Sequence, residues 1–192
     1  MTQREAWRQE QSSFDPARLV FIDETWASTN MARRHGRCPR GERLQVGVPH
    51  GYRKTTTFVG ALTLRGIIAP WVLNGPINAD AFEAYVEKVL VPELLKGDVV
   101  VMDNLSSHKG SRIRHLIEAA GAQLRYLPPY SPDLNPIENA FSKLKAVLRK
   151  VAERTMDGLW TQIGRLLDLF LPEECKNYFT AAGSLQFDRI PL

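Results

Sequence analysis

Three acidic side chains stand where chemistry could be done. Asp23 closes the apolar run LVFID, Asp103 closes VVVMD, and Glu138 falls in the first turn of the helix that follows the loop in 124-LRYLPPYSPDLNPIENAF-141. Carboxylates brought together repel one another, and some would keep a proton near neutral pH. Divalent cations remove that conflict. Mg²⁺ takes oxygen ligands and retains water and phosphate oxygens in its shell. Two such ions about 3.5–4 Å apart activate a nucleophile and stabilise the leaving oxygen of an in-line displacement at phosphorus. Carboxylates beside a basic surface therefore point to phosphodiester chemistry. Zinc is not indicated, since neither cysteine, Cys38 or Cys175, sits in a zinc-type spacing.

Each acid also has a plainer reading. An aspartate after a strand commonly forms a turn. Asn135-Pro136-Ile137-Glu138 is a good helix start: Asn135 at the N-cap, Pro136 at the first helical position, and Glu138 able to reach back as in a capping box. Capping alone leaves the preceding loop unexplained. Pro128, Pro129, Pro132 and Pro136 each fix φ and stiffen the entry to the helix. A capping glutamate tolerates slack, whereas a metal ligand does not.

The elements that would position these acids follow from periodicity. Residues 1–17 read as a short polar helix fragment ending at Asp15-Pro16. Leu19–Asp23 is a buried strand, 25–54 is an irregular basic insert, and Thr55–Leu64 with Ile67–Leu73 forms a hairpin across Gly66. Asn78 caps a helix carrying Phe82, Tyr85, Val86, Val89 and Leu90, broken or restarted near its end by Pro92. Val99–Asp103 is apolar on both faces, as in a sheet with parallel neighbours. A helix around Ile113–Ala120 stops at Gly121, Leu124–Leu127 is a further strand, and helices follow over about 136–150 and 155–170. Three strands in a meander and then alternating strands and helices give an α/β fold, a mixed five-stranded sheet flanked by helices. If the strands ending in Asp23 and Asp103 are parallel neighbours, both acids lie at one edge, where α/β sheets gather their chemistry.

Charge adds a surface. Net charge is +4, but Arg33, Arg34, Arg37, Arg40, Arg43, Arg53 and Lys54 face a single acid, Glu42, within residues 31–54. That segment is either a solvated basic loop or a phosphate contact. Ser142, Lys145 and Arg149 share the polar face of the helix over about 136–150 with Glu138. They are a solvated face or a track for a nucleic-acid backbone. Asn104, His108 and Lys109 follow Asp103; His108 is either a loop histidine or a group orienting water or phosphate, and Lys109 could meet a phosphate. Trp26 and Tyr130 could stack on bases or simply pack. No run approaches the roughly 20 apolar residues of a membrane helix, and the charged start MTQREAWRQEQ is no secretory signal. Two distant cysteines suit reduced thiols and a cytoplasmic location.

At this level of detail the chain resembles the DDE transposases. FIDE at Asp23, VVMDN at Asp103 and Y-S-P-D-L-N-P-I-E at Glu138, with 34 residues between Asp103 and Glu138, look like the catalytic triad of the bacterial insertion-sequence branch of the Tc/mariner superfamily, the "IS-six-thirty" type. The likeness runs from about Arg18 to Phe179. It implies an RNase H-like catalytic domain over 18–192, with the insert 25–54 and C-terminal helices over 155–182. It also implies two Mg²⁺ or Mn²⁺ ions on Asp23, Asp103 and Glu138, cleavage at transposon ends, and attack of the freed 3′-hydroxyl on target DNA. The partners implied are transposon-end and target DNA and a second copy in a homodimer, in a nucleoid-associated bacterial protein. The insert would reach toward DNA or the partner subunit, placing Arg33, Arg34, Arg37, Arg40, Arg43 and Lys54 beside Asn104, His108, Lys109, Lys145 and Arg149 as DNA-binding candidates. Family members usually carry an N-terminal helix-turn-helix that reads the terminal repeats. Residues 1–17 leave no room for it and read as a remnant or linker, so the chain reads as a catalytic half joined by frameshifting to an upstream half, or as a truncated, non-catalytic DNA-binding remnant. An RNase H-like nuclease that cuts without joining is the remaining alternative.

Overall fold

A computed structural model describes residues 2–45, 47, 49–50, 53–105 and 108–185. Positions 46, 48 and 51–52 of the insert and 186–192 of the expected catalytic domain lie outside the described residues. The elements are α1 (Gln3–Gln11), β1 (Leu19–Ser28), β2 (Thr55–Thr63), β3 (Gly66–Asn74), α2 (Ala79–Tyr85), β4 (Val99–Met102), α3 (Ser111–Ala119), β5 (Gln123–Tyr126), α4 (Pro136–Val151), α5 (Met156–Leu167) and α6 (Pro172–Ala181). The sheet has five strands in the order β3-β2-β1-β4-β5. β1, β2 and β3 are antiparallel, while β4 and β5 run parallel to β1. The expected mixed sheet is therefore present.

Strand alternation divides the core into two layers. Leu19, Phe21, Val99 and Val101 face α4, α5 and α6, where Phe141, Ile163 and Phe179 complete one cluster. Val20, Ile22, Val100 and Met102 face α2 and α3, where Phe82, Tyr85, Ile113 and Ile117 complete the other. Phe141 meets Phe58 edge-on at 5.8 Å, and Phe21 meets Phe179 at 5.3 Å, which fixes α4 and α6 to the sheet. α2 does not run straight to Pro92: it loosens into a π turn over Val86–Leu90 and tightens over Val91–Glu93. The proline lacks the N–H that a regular continuation would need.

Two expectations need correction. β1 does not end at Asp23; it continues to Ser28, because Glu24–Ser28 pairs with β2 from Val59 back to Thr55. Nor is the N-terminal stretch a linker. α1 is capped by Thr2 and Glu5 in a reciprocal capping box, and its Trp7 is 4% exposed within the α4-side cluster. Arg4 donates to Ser131 and to both carboxylate oxygens of Asp133, and Glu10 pairs with Arg125 at 2.7 Å. We expect Trp7→Ala to destabilise the protein by about 3–5 kcal/mol in urea unfolding, as for other buried aromatic truncations. A loss under about 1 kcal/mol would show that α1 is not part of the core.

Candidate active site

The parallel pairing of β1 with β4 runs from Leu19 opposite Val99 to Ile22 opposite Met102. The next residues in register are Asp23 and Asp103, so the two aspartates are neighbours at the carboxyl ends of adjacent parallel strands. β4 leaves the sheet there, while β1 continues with β2 alone. A cleft opens where β4 departs. Its volume is about 360 Å³, and Asp23, Asp103 and Glu138 all line it, with Asn104, Tyr130 and Asn135. Glu138 arrives on α4, whose first turn is set by a tight turn at Pro132–Leu134 and by Pro136 at the helix start. Arg4 holds that turn from α1 through Ser131 and Asp133.

Asp23 is 8% exposed. Its Oδ1 accepts from the Glu24 backbone N–H at 2.8 Å, and its Oδ2 accepts from Asn135 Nδ2 at 2.9 Å. Burial, and then the charges of Glu24 and Glu138, push the Asp23 carboxyl up to about 8; the Glu24 N–H opposes this and Asp103 adds to it. Asn135 occupies the N-cap position, yet its side chain makes no capping bond. The amide turns to Asp23 instead. Glu138 makes no capping-box bond either, and it lies exposed on the cleft side of the first turn. The capping reading of Asn135-Pro136-Ile137-Glu138 is thereby replaced by one in which Asn135 holds Asp23 and leaves Glu138 open.

His108 is not a surface contact. It is 1% exposed and stacks on Phe82 with ring centroids 4.1 Å apart. Nδ1 lies 2.6 Å from Asp103 Oδ1, and Nε2 lies 3.1 Å from Glu24 Oε2. Burial pulls the imidazole pKa down, but hydrogen bonds to Asp103 and Glu24 and their charges outweigh it and raise it to about 9. The two carboxylate partners favour the imidazolium form, in which both ring nitrogens donate, and the burial of His108 withdraws it from the DNA-binding residues. The sequence pattern gave Glu24 no role and read Asn135 only as a helix cap, not as a partner of Asp23. The acid directly after Asp23 in FIDE was the only available signal for Glu24.

The remaining basic residues divide by position. Lys145 sits over the exposed Trp26 ring at 5.1 Å. Burial lowers its pKa, Glu138 and Asp23 raise it, and Arg149 and Arg34 lower it, which places Arg34, Lys145 and Arg149 in one electrostatic neighbourhood beside the cleft. Arg33, Arg37, Arg40, Arg43, Arg53 and Lys54 are exposed on the insert, and the described insert residues after β1 form no helix or strand. Among the described residues no hydrogen bond or ion pair joins these six side chains to Asp23, Asp103 or Glu138. Asn104 lines the cleft, and Lys109 is exposed just before α3.

The donors suit hard divalent cations. They are carboxylate oxygens in one cleft, and the buried Asp23 is held protonated up to about pH 8 when no cation offsets its neighbours. Among the described residues no three His, Cys, Asp or Glu side chains converge closely enough to hold a single ion. An ion here would take one or two protein carboxylates and fill its shell with water or phosphate, as Mg²⁺ commonly does. Among the described residues no helix is long and apolar enough to cross a membrane.

A sheet of this order, with acids at the ends of its central parallel strands, is the fold of RNase H-like transposase catalytic domains. The profile of the DDE superfamily endonuclease family matches residues 18–158, and the chain belongs to that family. Among solved structures, the chain is similar to the Mos1 mariner paired end complex with Mn: TM-score 0.74, 18% identity, 94% of this chain and 57% of that one. The Mos1 strand transfer complex gives 0.71 and 17%, over 97% and 61%. The catalytic domain of Mos1 mariner transposase alone gives 0.62 and 16%, over 96% and 92%. The chain thus spans about 57–61% of the first two relatives. No curated protein matches it.

Folded Asp23 keeps its proton to about pH 8, whereas unfolded it would lose it near 3.8. Between those limits the folded state binds the extra proton, so stability falls as pH rises. His108 acts in the same direction between 6.5 and about 9. In EDTA, thermal unfolding should therefore show Tm decreasing from pH 5 to pH 8.5, with a shallower decrease in Asp23→Asn. Equal slopes in the two proteins would contradict the crowding at Asp23.

Proposed function

We propose that this chain is the catalytic domain of a DDE transposase of the bacterial insertion-sequence, IS-six-thirty branch of the Tc/mariner superfamily. It would cut DNA at transposon ends and join the freed 3′-hydroxyl to target DNA. The observation that carries the reading is the convergence of Asp23, Asp103 and Glu138 on one cleft from β1, β4 and α4. Asp23, Asp103 and Glu138 would hold two Mg²⁺ or Mn²⁺ ions. When bound, these supply Lewis-acid activation of the attacking oxygen and charge stabilisation of the leaving one. Mos1, a fold relative, has been solved both with Mn and with Mg. Cleavage and joining are both in-line displacements at phosphorus, so one cleft serves for both.

The chain's own residues do the rest. Asn135 keeps the Asp23 carboxylate turned to the cleft. The proline-stiffened turn and the Arg4 clamp fix where Glu138 emerges. Arg34, Lys145 and Arg149, which are electrostatically coupled beside Glu138, would offer a cationic surface to a phosphodiester backbone. Arg33, Arg37, Arg40, Arg43 and Lys54 would extend that surface along the insert, toward DNA or a second copy in a homodimer. Recognition of the terminal repeats would come from a helix-turn-helix half. Mos1 structures with transposon ends include the paired end complex with left transposon end. A cytoplasmic, nucleoid-associated setting follows from this activity.

A pre-cut transposon end with a free 3′-hydroxyl, target DNA and Mn²⁺ separates the possibilities. We expect joined product from the wild type and background levels from Asp23→Asn, Asp103→Asn and Glu138→Gln, each retaining its circular dichroism spectrum. Nicking without joining would make the chain a nuclease, and DNA retention without either product a non-catalytic remnant. Wild-type rates in any of the three variants would remove that residue from the mechanism.

A further inference from the structure

Asp103 differs from Asp23 in what holds it. Its Oδ1 takes the His108 Nδ1 proton at 2.6 Å and the Leu105 N–H at 3.2 Å, whereas the described residues give Oδ2 no hydrogen-bond partner. The ring that supplies the shorter bond is held by two further contacts, and its backbone by a third. Phe82 stacks on it, Glu24 accepts from Nε2 at 3.1 Å, and the Tyr126 hydroxyl donates to the His108 carbonyl at 2.9 Å. The alternation along β1 explains the arrangement. Asp23 points to the α4 side, so Glu24 points to the α2–α3 side, behind the sheet edge, where His108 is buried. Asp103 lies between, at the end of β4, reached by His108 from behind and open to the cleft in front.

We propose that His108, fixed by Glu24, is a positioning residue for Asp103: it binds one carboxylate oxygen so that the other is presented to a divalent cation in the cleft. The inference rests on the reading of Asp23, Asp103 and Glu138 as the cation-holding acids, and extends it by two residues, Glu24 and His108, set behind them. Five torsions would otherwise be loose, χ1 and χ2 of Asp103 and χ1 to χ3 of Glu24, and the imidazole holds both carboxylates with one rigid ring. Outer partners of this kind typically govern ligand orientation, and their loss costs about 10–100-fold in metal affinity or activity.

The full chain tests this by calorimetric titration with Mn²⁺ alone and, in parallel, by joining of a pre-cut end. His108→Leu removes the donor; we expect Mn²⁺ affinity and joining rate to fall by about 10–100-fold. His108→Asn keeps an amide donor where Nδ1 stood, and should recover most of the Mn²⁺ affinity that His108→Leu loses. Glu24→Ala, at a partly exposed site, frees the far end of the ring and should fall between wild type and His108→Leu. A role limited to packing predicts instead that His108→Asn is as impaired as His108→Leu and that Glu24→Ala binds Mn²⁺ like wild type; that pattern overturns the proposal. If wild type itself neither binds Mn²⁺ nor joins DNA, the catalytic reading fails. If wild type does both and the three variants match it, only the positioning role of His108 fails.

Discussion

Everything at this site answers to one cost: a buried carboxylate, Asp23, surrounded by other carboxylates. Burial and the charges of Glu24, Glu138 and Asp103 all disfavour its ionised form. A fold built for stability alone would put an apolar residue at that position in β1, since the four residues before it are apolar and buried. The polypeptide instead places an acid one residue beyond the last parallel pair, a second just after β4 and a third on the first turn of α4. An external positive charge would relieve such crowding, and under the proposed function divalent cations would supply it.

The scaffold holds these acids from opposite sides of the sheet edge. From the α4 side, Asn135 grips Asp23, and the turn before α4 is itself held by Arg4 of α1. From the α2–α3 side, Glu24 and His108 grip Asp103. Glu138 alone is left without a hydrogen-bonded tether among the described residues. It has a rigid helix start beneath it, two flanking hydrophobic anchors in the buried Ile137 and Phe141, and a cationic neighbour in Lys145. Two of the acids are thus tethered and the third is left free at the cleft.

Much of this was legible because it depends on local pattern. LVFID and VVVMD are buried on both faces, and that is what made them central parallel strands with acids at their ends. The four prolines before Glu138 announced a stiff entry. What stayed hidden depends on pairing between distant segments. Glu24–Ser28 contains polar residues, and it extends β1 because β2 lies beside it, not because its own sequence demands a strand. Asn135 has the ideal identity for a helix cap, and its bond to Asp23 is visible only once α4 and β1 are in contact. His108 looked like a loop residue because the partner that buries it, Phe82, lies on another helix. α1 is polar by composition, yet one tryptophan suffices to dock it.

The central claim is that Asp23, Asp103 and Glu138 form one cation-holding cleft. Crystals of the protein grown with a short DNA end and Mn²⁺ would test it most directly, through anomalous scattering at a wavelength where manganese is the dominant signal. The account predicts anomalous peaks inside the cleft, within coordination distance of carboxylate oxygens from these three side chains. Well-ordered crystals with DNA bound, Mn²⁺ at concentrations that support joining, and no peak in that cleft would contradict it.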